Sequence, residues 1–122
     1  MLFETRYFVA RFTARDSSYL EKLKSLLEHS SVKIVSSITI YEIYKISLES
    51  EGKDVAQLRT DIIEKEFEII DVDSEIAKEG AKISSKLRIP MADSLIMATA
   101  KRHRLPCVTD DPHFTEVKRV WV

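Results

Sequence analysis

Apolar residues along this chain switch between a strand-like and a helical period, and the switches mark its elements. Apolar runs too short for a helix stand at Met1–Phe3, Val32–Val35, Phe67–Ile70, Pro106–Val108 and Val117–Val122, and read as strands. The intervening segments carry apolar residues at helical spacing. A helix is expected over Thr5–Thr13. Asp16 or Ser17 caps a second, with Leu20, Leu23, Leu26 and Leu27 along one face. Ser36 or Ser37 opens a third, which runs to about Ser50. Ser50–Asp54 reads as a loop in which Gly52 offers a helix stop, and Asp54 opens a helix to about Lys65. Asp73 or Ser74 caps the next, through Ile76, Ala77, Gly80, Ala81 and Ile83. Pro90 precedes a last helix over Ala92–Arg102.

No repeat, low-complexity tract or Pro/Gly-rich linker interrupts this order, so a single domain over residues 1–122 is expected. Strands alternating with helices imply parallel pairing through right-handed crossovers. The expected fold is a three-layer α/β/α sandwich around a mainly parallel sheet.

Composition narrows the function classes. A net charge of −1 gives the chain no general attraction for nucleic acid, so a polyanion site must be a local patch. The lone Cys107 excludes an intrachain disulfide and fits a reducing cytosol. No apolar run reaches the roughly 18 residues of a membrane span, and the opening MLFETRYF has no signal-peptide pattern. Absence of Asn, with a single Gln and many Lys and Glu, fits a thermophilic source.

In a parallel sheet the functional crevice lies beyond the carboxyl ends of the strands, which makes the acids informative. Glu4 directly follows the first strand; Asp110 and Asp111 directly follow Pro106–Val108. Glu42 lies one to two turns into the helix after Val32–Val35, and Asp93 in the first turn of the helix after Pro90. Each has an ordinary explanation. Asp93 complements a helix N-terminus, worth roughly 0.3–1 kcal/mol. The sequence TDDP makes a good turn, Glu42 can pair with Lys45 on an exposed stripe, and Glu4 can be an edge charge. Together they are less ordinary, because clustered carboxylates repel unless a cation holds them. Carboxylates without neighbouring thiols suit Mg²⁺ or Mn²⁺. His29, His103 and His113 lack zinc-like spacing, and His103 and His113 read as surface residues. There is no Gly-rich phosphate loop and no G-x-S-x-G elbow, which disfavours nucleotide kinases and serine hydrolases.

These segments resemble the PIN domain, in the short form that serves as the toxin of prokaryotic VapBC toxin–antitoxin pairs. The family's strand, Asp-Thr and apolar helix correspond to LFETRYFVARF, with Glu4 in place of Asp. The strand, small polar residues and Glu-bearing helix correspond to VKIVSSITIYEIYKI, with Glu42. Asp in the first turn of an Ala-rich helix corresponds to IPMADSLIMATAKRHRLP, with Asp93. The strand ending Thr-x-Asp-x-x-Phe corresponds to PCVTDDPHF, with Thr109 and Asp111. The match keeps order and spacing over nearly the whole chain. Two departures stand out: Glu4 is one methylene longer than Asp, and His113 stands where the family often carries a further acid, lowering the local negative charge.

The resemblance implies a cytoplasmic endoribonuclease dependent on Mg²⁺ or Mn²⁺, with an RNA substrate, a cognate antitoxin and a homodimeric state. It implies Asp93 and Asp111 as principal metal ligands, Glu4 as the ligand from the first strand, and Glu42 as a ligand at a second site or an orienter of water. Thr109 becomes a hydrogen-bond donor behind the ligands. Arg6 either meets substrate phosphate or pairs with an acid. Lys101, Arg102, Arg104, Lys118 and Arg119 form either a solvated face or an RNA-contacting rim. Competing readings are another Mg²⁺-dependent phosphohydrolase or a flap-type DNA nuclease, a receiver-type phosphoacceptor domain, and a degenerate PIN module that binds RNA or a protein without cutting. The last is motivated by Glu4.

Overall fold

The computed structural model describes residues 1–122. Its elements are β1 (Leu2–Phe3), α1 (Thr5–Thr13), α2 (Ser17–Glu28), β2 (Ile34–Ser36), α3 (Ser37–Glu51), α4 (Lys53–Glu66), β3 (Glu68–Ile70), α5 (Ser74–Leu87), α6 (Met91–Arg102), β4 (Cys107–Val108) and β5 (Arg119–Val120). The strands form one sheet in the order β3-β2-β1-β4-β5, and every pairing is parallel. Helices cover both faces, so the expected three-layer sandwich is present, with its sheet wholly parallel.

Alternation along very short strands builds both halves of the core. Leu2, Ile34 and Cys107 point to one face, where they meet Ile76 and Ile83 of α5 and Ile96, Met97, Ala98 and Ala100 of α6. Phe3, Val35 and Val108 point to the other, where they meet Tyr7 and Phe8 of α1, Leu23 of α2, Ile43 of α3 and Ile63 of α4. On this second face Phe3, Tyr7, Phe8 and Phe67 pack edge to face, with ring centroids 4.9–5.2 Å apart. The hydrophobic periods read from the sequence are thus the two sides of one sheet.

Several boundaries move, each for a local reason. The second strand begins at Ile34, because the Val32 carbonyl already accepts from Ser30 Oγ and from the Met1 amino group. The last strand contracts from Val117–Val122 to Arg119–Val120, since its only neighbour, β4, is itself two residues long. No five-residue loop separates α3 from α4. Gly52 alone makes the turn at φ 92°, donating its N–H to the Ser47 and Leu48 carbonyls. Asp54 therefore sits in the first turn of α4 and does not open it. By contrast, Asp16, Ser36 and Asp73 cap their helices as expected.

The connection from β4 to β5 joins two parallel strands without a helix. Such crossovers are usually helical. Here Phe114, fully buried against the α5–α6 side of the core, pins the connection to the sheet instead.

Gly80 of α5 faces α6. A Cβ there would lie 2.8 Å from Leu95 Cδ2 and 3.4 Å from Leu95 Cα. Gly80→Val is expected to destabilise the fold by about 1–3 kcal/mol through overpacking. Urea unfolding should show a lower midpoint with an unchanged slope; equal midpoints would mean that the two helices separate without cost.

Candidate active site

Strand order places the site. From β1 the chain adds β2 and β3 on one side, and β4 and β5 on the other. The β1–β4 boundary is therefore the point where the winding reverses, and ligands in such sheets bind beyond the strand ends there. Glu4 leaves β1 and Thr109 leaves β4. They lie opposite each other because Phe3 is paired with Val108 and the Glu4 N–H donates to the Val108 carbonyl at 3.2 Å.

Thr109 joins the two strand ends. Its hydroxyl donates to Glu4 Oε2 at 2.7 Å, and its oxygen accepts from the Asp111 N–H at 3.1 Å. The same Glu4 oxygen accepts from the Arg6 N–H at 3.2 Å, so Glu4 is also the N-cap of α1. Glu4 is only 2% exposed. One residue on, Thr5 donates to Glu42 Oε1 at 2.6 Å. With its single proton given to Glu42, Thr5 must accept from Thr39, whose oxygen lies 3.1 Å away. A buried hydroxyl relay thus fixes Glu42 to α1.

Asp93 and Asp111 face each other across the opening of α6. Both are largely buried. His113 completes the group: its Nδ1 lies 3.5 Å from Asp93 Oδ2 and 3.4 Å from Asp111 Oδ1. One ligand atom from each of the three residues falls within 4.8 Å of the others; Glu4 and Glu42 do not join the group at that spacing.

Electrostatics links the four acids. Burial pushes the Glu4 carboxyl up to about 7; hydrogen bonds from Thr109 and Arg6 oppose the shift, and Asp93 and Glu42 add to it. Burial also raises Glu42, against the Thr5 hydrogen bond and with the help of Asp93. Asp93 is raised by burial and then by Asp111, while His113 and Arg6 pull it down. The protein's own cations leave this cluster under-neutralised. An oxygen-rich set of mutually repelling carboxylates is a donor set that suits a hard divalent cation.

Every candidate acid from the sequence reaches this edge of the sheet: Glu4, Glu42, Asp93 and Asp111, with Thr109 behind them. Arg6 takes the acid-pairing role, its Nε donating to Asp110 Oδ1 at 2.5 Å on the exposed rim. Glu42 makes no ion pair with Lys45; it bonds to Thr5 instead. The basic residues divide. Lys101 pairs with Glu79 and Glu116, and Arg102 with Asp73 and Glu75, away from the site. Arg119 donates to the Asp111 carbonyl at 3.3 Å, beside it. His113 is exposed, as expected of a surface residue, yet it faces two acids. The available signal was its position two residues after Asp111 in a turn.

Comparison with known proteins bears on the family and the fold. The family model for the PIN domain matches residues 1–120. No curated protein matches the chain in sequence. Among solved structures, VapBC2 from Rickettsia felis, bound to a DNA fragment from its promoter, superposes with a TM-score of 0.78 at 21% identity, covering 98% of this chain and 96% of that one. FitAcB from Neisseria gonorrhoeae gives 0.78 at 25% identity, covering 97% and 94%. VapC20 from Mycobacterium tuberculosis, a Sarcin-Ricin loop cleaving toxin, gives 0.78 at 14% identity, covering 93% and 92%.

The raised Glu4 carboxyl sets a pH dependence for the metal-free protein. A folded value above the ordinary 4.5 favours the folded state most below that value, and the advantage is lost as pH rises through about 7. The shift corresponds to about 3 kcal/mol. Both donors to Glu4 converge on one oxygen, so a Gln carbonyl can accept them. Glu4→Gln in EDTA is therefore expected to match wild type near pH 4 and to exceed it by about 1–3 kcal/mol near pH 8. Parallel stability curves across that window would show that Glu4 carries no such penalty.

Proposed function

Because this chain belongs to the PIN-domain family, a family of nucleases, we propose that it is a metal-dependent endoribonuclease and the toxin of a toxin–antitoxin pair. The observation that carries this reading is the convergence of Glu4, Glu42, Asp93 and Asp111, from four separate segments, on the point where the sheet reverses its winding. Such an arrangement is costly for folding alone and becomes favourable around a cation. When bound, Mg²⁺ or Mn²⁺ supplies an acidified water and neutralises charge on the phosphate.

The residues divide the work. Asp93 and Asp111 hold the ion. Glu4 stands behind them as the acid from β1, kept in place by Thr109 and the start of α1. Glu42, held by Thr5, would orient water for the ion. Arg6 stays on the rim, paired with Asp110, at the border of the site. RNA as the substrate is supported by the mycobacterial neighbour's cleavage of the Sarcin-Ricin loop, and an antitoxin partner by the paired assemblies among the neighbours. Exposed Tyr41, Leu48, Leu58 and Met91 offer apolar surface for the antitoxin and for a second copy of the chain. Residues 1–122 act as one domain in the cytoplasm, where the buried thiol of Cys107 stays reduced.

Cleavage of a mixed single-stranded RNA pool in Mg²⁺ or Mn²⁺ tests the assignment. Asp93→Asn keeps side-chain volume and removes the charge. Its activity should fall by more than about 100-fold, beyond the usual effect of losing a supporting partner of a metal ligand. Mn²⁺ should raise the wild-type melting temperature, and Asp111→Asn should erase that rise. Wild-type-like cleavage by Asp93→Asn would remove that residue from the site. A wild type that never cuts any RNA with either ion would return the chain to the binding-module reading.

A further inference from the structure

Oxygen is not the only donor facing Asp93 and Asp111. The Nδ1 of His113 sits between their carboxylates, at 3.5 and 3.4 Å. The helix-free β4–β5 connection holds it there. The His113 N–H donates to Asp111 Oδ1 at 2.9 Å, and the Phe114 N–H to the Asp111 carbonyl at 3.2 Å. On the other side the His113 carbonyl accepts from the Thr115 N–H at 2.9 Å. Phe114 is fully buried, which fixes the backbone next to the imidazole. The ring itself is about half exposed, with a side-chain accessibility of 55%, so no core contact dictates its direction. Its direction follows from the loop and the acids.

We propose that His113 gives an imidazole nitrogen to the ion held by Asp93 and Asp111, and that this nitrogen makes the site select Mn²⁺ and later first-row ions over Mg²⁺. The inference rests on the metal-dependent reading above. Mg²⁺ takes oxygen ligands, keeps several waters and gains little from imidazole. Transition-metal ions bind imidazole well, and affinity generally rises along the first row from Mn²⁺ to Cu²⁺. A neutral nitrogen also leaves less negative charge at the site than a further carboxylate, which removes part of what attracts Mg²⁺.

The test uses the untagged full chain with Mn²⁺ as the probe. Pulsed electron paramagnetic resonance reads nitrogen coupling to the bound ion, and calorimetric titration gives the Mg²⁺ and Mn²⁺ dissociation constants. Wild type should show ¹⁴N coupling. His113→Asp should lose it, and His103→Ala, which alters the exposed end of α6, should keep it. In His113→Asp the ratio of the Mg²⁺ to the Mn²⁺ dissociation constant should fall on the order of tenfold. Mn²⁺ bound by wild type and lost in Asp111→Asn, but without nitrogen coupling, would overturn this inference and leave the metal-dependent reading standing. An unchanged ratio in His113→Asp would overturn the selectivity. Failure of wild type to bind either ion would overturn both readings.

Discussion

The hydrogen bond from Thr109 to Glu4 spans 105 positions of sequence and is the contact on which the site depends. A carboxylate this deeply buried costs several kcal/mol unless it is paired. Thr109 lowers that cost only when β4 lies in register beside β1. The same hydroxyl orders the next turn by accepting from Asp111. Strand pairing, burial of Glu4 and placement of Asp111 are therefore one event. Backbone bonds from the Glu4 and Thr109 N–H groups carry the ladder past the two-residue strands, and the Thr109 hydroxyl adds a side-chain tie at the same place.

The neighbouring acids work against this closure. Glu4, Glu42 and Asp93 are all less willing to ionise than free carboxyls, with burial as the leading cause for each. A fold selected for stability alone would place apolar side chains there, as buried charges are often neutral or worse for stability than apolar groups of similar volume. The aromatic cluster of Phe3, Tyr7, Phe8 and Phe67 immediately beneath supplies the compensating packing. Rigid core below and repelling charge above is an arrangement that holds the acids in place without their mutual consent.

What sequence reveals about this protein follows the range of the interactions. Asp16, Ser36 and Asp73 were readable as caps because a cap and its partner lie two or three residues apart. Acids at strand ends were readable because parallel topology sends all carboxyl ends to one edge. The Thr39–Thr5–Glu42 relay was not, since its members are 34 and 37 positions apart and each is ordinary in its own helix. Nor was the single-residue junction at Gly52: the polar stretch SEGKD looks like a loop, and only a positive φ at the glycine lets two helices meet without one. His113 was legible as exposed; its aim toward two acids depends on Phe114 being buried, which hydropathy alone does not place.

The outer strands of the sheet, β3 and β5, have three and two residues. Glu68 begins the first edge; Arg119, preceded by Lys118, begins the second. Strand edges recruit other chains when they are long, flat and apolar, and shortness and charge both prevent it. The backbone of this molecule is thus closed to strand-by-strand growth despite having an open sheet. Any lasting association would then fall to side chains on the helices, where specificity can be written residue by residue.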